Sequence, residues 1–409
     1  MKKIILILSL ILISHRVAEA QWVLVDTTHN WIQAFADNGS IIYAAVSGDG
    51  IYRSTNYGQN WTLSGHNLCY IGNIFFDICA KDSLVYLAAY SHIYKSTNYG
   101  TTWDSIITTT GAQCITIFNN YIFAGAISVS RSSDWGNTWE TVNNGLPSSY
   151  SHPLSFTQTN NILFVGIEDA LNSIQQIYKS TNFGNNWIST SPNLAGYPYY
   201  LYADSNLILC GANYGVYIST NFGTDWRFIS DVHNYLEQFG FASSTAKNIF
   251  VSTWGNGIYV SNDYGQTWTQ RNEGLANLYG TTLHKFGSYL FLGTDPVYIP
   301  MEMYRRPYNE LVGIRQISTN IPDKYKLFQN YPNPFNPNTK IDFAIQKNGF
   351  VILKIFDILG REIYKLVNEY KRAGFYTASF NGSQFASGVY FYRIQAGKFS
   401  QVKRMMLIK

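Results

Sequence analysis

The sequence predicts an all-β chain, a seven-bladed β-propeller followed by a small Ig-like β-sandwich. Three observations predict it. An eight-residue phrase, S-x-D/N-aromatic-G-x-x-W, occurs six times, starting at Ser54, Ser96, Ser132, Ser180, Ser219 and Ser261, at intervals of 42, 36, 48, 39 and 42 residues. Short alternating runs fill the intervals, and a period near forty is what four-stranded propeller blades produce. From about residue 326 the period is gone, and proline-punctuated strands of another pattern take over.

From the N-terminus, residues 1–20 are expected to be a secretory signal peptide, with Lys2 and Lys3, an apolar run over 4–13, and Ala18-Glu19-Ala20 as the cleavage site. That run is too short to span a bilayer, and no later segment approaches the roughly 18 apolar residues a membrane helix needs. The mature chain, without a transmembrane segment, is expected to start at Gln21, outside the cytoplasm.

Each repeated phrase reads as a hairpin clasp. Asn56, Asn98, Asp134, Asn182, Asn221 and Asp263 can accept hydrogen bonds from backbone N–H groups further along the turn. Gly58, Gly100, Gly136, Gly184, Gly223 and Gly265 allow a positive φ, and Trp61, Trp103, Trp139, Trp187, Trp226 and Trp268 open the next strand, where a large ring fills the gap between wedges. The phrase resembles the Asp-box, or BNR repeat, of sialidase-like propellers, with Asn in four copies where that family usually has Asp. The resemblance implies a fold and leaves the activity open.

Before each clasp stands a pair of strands, SIIYAAV and GIYRST for example, and a seventh pair, SYLFLGT and VYIPMEMYRRP, has no clasp after it. QWVLVD, from Gln21, matches the strands that follow the clasps, so the N-terminal strand is expected to complete the seventh blade with Trp22 as the missing tryptophan. Closure of that kind also removes exposed sheet edges. The propeller is placed at 21–307, a linker at 308–325 and the tail at 326–409.

In the tail, an extended stretch over 327–337 leads into strands expected near 341–345, 351–356, 362–366, 374–380, 388–394 and 399–407, the pattern of an Ig-like sandwich. The strings YPNPFNPNTKIDF, KIFDILGREI, SGVYFYRIQAG and VKRMMLIK resemble a type A sorting domain of type IX secretion. The resemblance implies a partnership with the type IX machinery, passage through the outer membrane, and a chain that is secreted or displayed on the cell surface.

Charge is split along the chain: residues 21–313 carry 11 Lys and Arg against 19 Asp and Glu, and residues 314–409 carry 15 against 5. An acidic propeller does not suggest nucleic acid, which needs a basic patch. Cys69, Cys79, Cys114 and Cys210 permit disulfides in an exported chain without choosing among the pairings, and Cys210, aligned with small strand residues, reads as a buried thiol. The sequence holds no metal-type C-x-x-C and no H-E-x-x-H, and no cofactor or metal is expected.

Candidate sites lie on the face shared by the second–third hairpins and the blade connections. A sialidase needs an arginine triad and an Arg-Ile-Pro string. Neither matches the arginines here, Arg53, Arg131, Arg227, Arg271, Arg305 and Arg306. Xyloglucan-cleaving propeller enzymes use paired carboxylates between two propellers, and hydrolysis would need two such groups facing one sugar about 5–9.5 Å apart. Asp49, Glu168, Asp169 and Asp295 are the candidates, with Asp231 and Glu237 in the connections. Tyr70, Tyr150, His152, Tyr197, Tyr199, Tyr235, Trp254 and Tyr279 are candidates for binding a glycan or a protein. The expectation is a non-enzymatic binding propeller. The alternatives are a polysaccharide hydrolase and an assembly scaffold resembling the photosystem II assembly propellers, whose positive patch this acidic domain lacks.

Overall fold

Crowding near a common axis explains the strand sequences. The computed structural model describes residues 21–409 apart from 27–30, 66–67, 69–73, 107–110, 148–150, 214, 230–240, 246–247, 296–301, 312–313, 319–321, 372 and 383–384; the expected signal peptide lies outside the described residues. In the first blade, strands Ile32–Asp37, Ile42–Val46, Gly50–Ser54 and Thr62–Ser64 pair antiparallel in chain order. Five more blades repeat this plan, with first strands Phe75–Lys81, Cys114–Phe118, His152–Thr159, Tyr200–Asp204 and Phe241–Thr245. First strands of neighbouring blades touch all the way round, the seventh against the first included, so they surround the axis. Towards its end each second strand carries a small residue, Ala45, Ala88, Gly125, Gly166, Gly211, Ser252 or Gly293. A Cβ on Gly125 would stand 2.6 Å from Pro153 of the next blade, and one on Gly166 2.7 Å from the Pro198 carbonyl, so the approach of the next wedge demands smallness.

The seventh blade is the expected composite. Gly280–Phe286, Tyr289–Thr294 and Met303–Pro307 are completed by the N-terminal Val23–Asp26, with Val23 opposite Arg305. Trp22 is buried in one cluster with Phe250 of the sixth blade, and its Nε1 donates to the Arg271 carbonyl at 2.8 Å. Trp187 makes the equivalent bond to the Val142 carbonyl at 2.8 Å, so Trp22 does stand in for the missing tryptophan.

The six clasps share one geometry. The serine Oγ accepts the glycine N–H at 2.8–2.9 Å. The Asn or Asp oxygen accepts the N–H four residues on at 2.8–3.0 Å. Both residues of the turn's tip are left-handed: Gly184 has φ +81°, and the aromatic residues before the glycines, Tyr57, Tyr99, Trp135, Phe183, Phe222 and Tyr264, have φ between 57 and 61°. A Cβ on Gly184 would also meet Phe123 of the preceding blade at 2.8 Å, so the clasp sits on its neighbour's buried aromatic.

A basic side chain from one blade then reaches the carbonyl of the next blade's clasp aromatic. Arg53 donates to Tyr99 at 3.0 Å, Lys95 to Trp135 at 2.8 Å, Lys179 to Phe222 at 3.3 Å and Arg227 to Tyr264 at 2.7 Å; Arg131 serves Phe183 and Arg305 serves Tyr57. Arg53, Lys95, Arg131 and Lys179 stand just before the clasp serine on the third strand. In the fifth blade Ile218 holds that place, and the cation comes from its cross-strand partner Arg227. The sixth blade has Val260 opposite Thr269 there, and the seventh has no clasp to receive a cation.

The tail is a two-sheet sandwich. Ile314–Ser318, Gly374–Asn381, Asn338–Ile345 and Lys326–Leu327 form one sheet; Glu362–Lys371, Gly349–Phe356, Gly388–Ala396 and Phe399–Leu407 form the other. One core, including Phe343, Leu353, Tyr376 and Tyr392, lies between them. The stretch 308–325, expected to be linker, carries structure and corrects that expectation. Tyr308–Leu311 is one helical turn whose Leu311 is wholly buried beside Trp22, and Ile314–Ser318 pairs with the sandwich strand at Ala378 and Tyr376. Its short, irregular pattern hid a strand that borrows its partner from sixty residues on.

Candidate functional site

The candidates belong to the face formed by the second–third hairpins and the blade connections, and its four described carboxylates, Asp49, Glu168, Asp169 and Asp295, are spread over three blades. Glu168 and Asp169 are consecutive at the end of strand Ile162–Asp169, so they project to opposite sides of the sheet and cannot face one sugar together. Glu168 is half-buried, opposite His152 in the ladder. Asp169 is wholly buried and accepts the N–H groups of Leu171 and Asn172 and the Asn172 amide at 2.8–3.2 Å, which makes it the former of its own turn. Asp295 is also buried. Its N–H donates to the Tyr279 carbonyl and its carbonyl accepts the Asn277 amide, so it ties the last hairpin to the preceding connection. Asp49 is half-buried in the first blade's hairpin. Asp49 and Glu168 thus stand on the first and fourth blades, three wedges apart round the ring.

The aromatic candidates fare differently. Tyr197 and Tyr199 lie with ring centroids 5.6 Å apart, and Trp254 meets Tyr279 edge to face at 5.4 Å. All four are half-buried, as is His152. Tyr70, Tyr150 and Tyr235, with Asp231, Glu237 and Cys69, lie outside the described residues. Sequence reasoning missed the most exposed apolar side chains of this face. Tyr90 is 71% exposed, Ile127 48% and Leu171 72%, at the second–third hairpins of three consecutive blades, with Ile74 at 42% and Trp31 at 38% on the connections. The available signal was an apolar residue at a hairpin tip where the first blade has Gly48 and Asp49.

The axial strands hold the titratable groups. Asp77 accepts the N–H of Ile78 and, across the blade boundary, that of Ile115, each at 2.9 Å. Burial pushes its carboxyl up to about 7, with those two bonds working against the rise. Burial, and then the charge of Asp77, raises the thiols of Cys79 and Cys114, and burial alone raises that of Cys210. These three cysteines are free, and raised thiols are poor nucleophiles. Asp37 bonds His284 of the seventh blade at 2.7 Å; burial works to raise its carboxyl but the His284 bond and charge outweigh it, and the carboxyl lies below its usual value. Among the described residues no group of three His, Cys, Asp or Glu could hold a metal ion, and no helix is long and apolar enough to cross a membrane.

Residues 329–409 match the family of secretion system C-terminal sorting domains. The tail of this chain is a sorting domain. Such a domain addresses a chain to type IX secretion, and so to the cell exterior or the cell surface. A comparison of the whole chain with curated proteins gives no match. Solved structures similar to the propeller include YCF48 bound to D1 peptide, 12% identical at a TM-score of 0.54, covering 70% of this chain and 96% of that one. YCF48 from Cyanidioschyzon merolae is 11% identical at 0.54, covering 71% and 100%. The GH74 enzyme of Niastella koreensis is 15% identical at 0.54, covering 79% of this chain and 59% of the enzyme, so the chain spans about three-fifths of its length. At such identities the likeness shows the β-propeller fold alone.

Proposed function

We propose that the chain is an exported binding protein: a non-enzymatic propeller of residues 21–311, delivered by the sorting domain of residues 314–409, that meets an extracellular glycan or protein on its loop face. The carrying observation is the state of the candidate carboxylates. Asp169 and Asp295 are buried in turn and connection bonds, and the two that reach solvent stand on separate blades, whereas exposed aromatic and aliphatic side chains crowd the same face. Exposed apolar groups carried on loops support recognition rather than acid–base chemistry. The repeated turns, read as Asp-boxes, serve in this reading only as clasps between wedges. The GH74 likeness keeps hydrolysis as the rival reading, and the YCF48 complex supports the capacity of this fold to hold a peptide.

Division of labour between the two parts is testable. A chain lacking residues 314–409 should stay in the periplasm, while the same chain with the tail appears outside the cell. Normal appearance outside without the tail would contradict the division.

A further inference from the structure

Resting on the binding reading, we infer that the occupant of the loop face is a basic, partly apolar protein segment. The placement of the propeller's cations points to it. Six of the 11 Lys and Arg in residues 21–313 are spent on the clasp carbonyls, at the opposite ends of the blades. Lys81 donates to the Asn119 carbonyl at a first–second hairpin, Lys285 lies 5.2 Å over the Tyr308 ring, and Arg306 is buried against Glu273 at 2.8 Å. The second–third hairpins and blade connections contain no lysine and one arginine, Arg271, which is half-buried in the Glu273 and Arg306 cluster. The same loops carry Asp49, Glu168 and Glu302. A face whose described loops carry carboxylates and no free lysine or arginine repels phosphate, uronate and nucleic acid, and it attracts lysine and arginine.

The apolar half of the inference comes from Trp31, Ile74, Tyr90, Ile127 and Leu171. Their exposure is built into ordered backbone: the Tyr90 N–H donates to the Ile74 carbonyl at 2.9 Å and the Ser47 N–H to the Trp31 carbonyl at 2.8 Å. Backbone that is already held in place loses little freedom on binding. Ile127 and Leu171 are aliphatic and have no flat face for a sugar ring, but they suit apolar side chains set between lysines.

The probe is a labelled peptide of alternating lysine and leucine, with a glutamate–leucine peptide and polygalacturonate as comparisons. Binding to the mature chain of residues 21–409 is read at about pH 8, above the ordinary histidine range. The lysine–leucine peptide should bind, weaken as salt rises, and weaken about tenfold further in Tyr90→Ser/Ile127→Ser/Leu171→Ser. That variant should keep the wild-type melting temperature, and Tyr57→Ser/Tyr99→Ser on the clasp side should bind normally. Absence of peptide binding, equal binding by the triple variant, or preference for either acidic probe overturns the inference. Retention of a neutral polysaccharide without peptide binding would do so while leaving the binding reading intact, whereas release of sugar would strike at that reading.

Discussion

At the residue scale, Asp77 and Trp187 carry the clearest consequences. The Asp77 carboxyl is raised to about 7 by burial, well above its value near 3.8 in an unfolded chain. The folded state therefore holds a proton that the unfolded state releases. Its stabilising effect is complete below the unfolded value and is lost as pH rises through about 7. Asp37, held low chiefly by His284 against its burial, acts with the opposite sign. Melting temperatures of the wild type should contain a fall between about pH 5 and 7 that Asp77→Asn lacks; parallel curves would contradict it. Trp187 is 3% exposed, and Trp187→Ala should cost about 3–5 kcal/mol in denaturant unfolding. Much of this was legible, because Ser, Asn or Asp, Gly and Trp at fixed spacing have few other uses. The left-handed tyrosines were not, since no property of Tyr57 or Tyr99 marks it for that conformation. Nor could sequence tell Asp169 the turn-former from a catalytic carboxylate, because both are an aspartate in a loop.

At the scale of elements, the ring depends on a strand from the far end of the chain. Val23–Asp26 covers the edge of Met303–Pro307, and Trp22 fills the boundary with the sixth blade. Deleting residues 21–26 should lower the melting temperature and produce soluble oligomers in size-exclusion chromatography, because the uncovered edge can pair with another chain. A monomer of unchanged stability would show that the ring does not need this strand. Composite closure was readable in sequence, from a missing phrase at one end and a matching string at the other. The cation staples were half readable. Arg53, Lys95, Arg131 and Lys179 share a register with the clasp serines, but Arg227 reaches the same carbonyl from the partner strand, a relation that exists only across a ladder. Ile314–Ser318 was hidden for the same reason, since its partners at 375–378 are remote in sequence.

For the whole molecule, the split of charge becomes a division of roles. The basic tail is the address, and the propeller puts its own cations to work between wedges, leaving the opposite face acidic and apolar. On the proposed reading the loop carboxylates serve turns and electrostatics rather than an acid–base pair, and that is the central claim to test. The most direct measurement incubates the purified mature chain with soluble polysaccharides and extracellular proteins and reads retained ligand and new reducing ends in the same wells. Retention without new reducing ends is the predicted result. New reducing ends that disappear in Glu168→Gln or Asp49→Asn would contradict it and make this face a hydrolytic site.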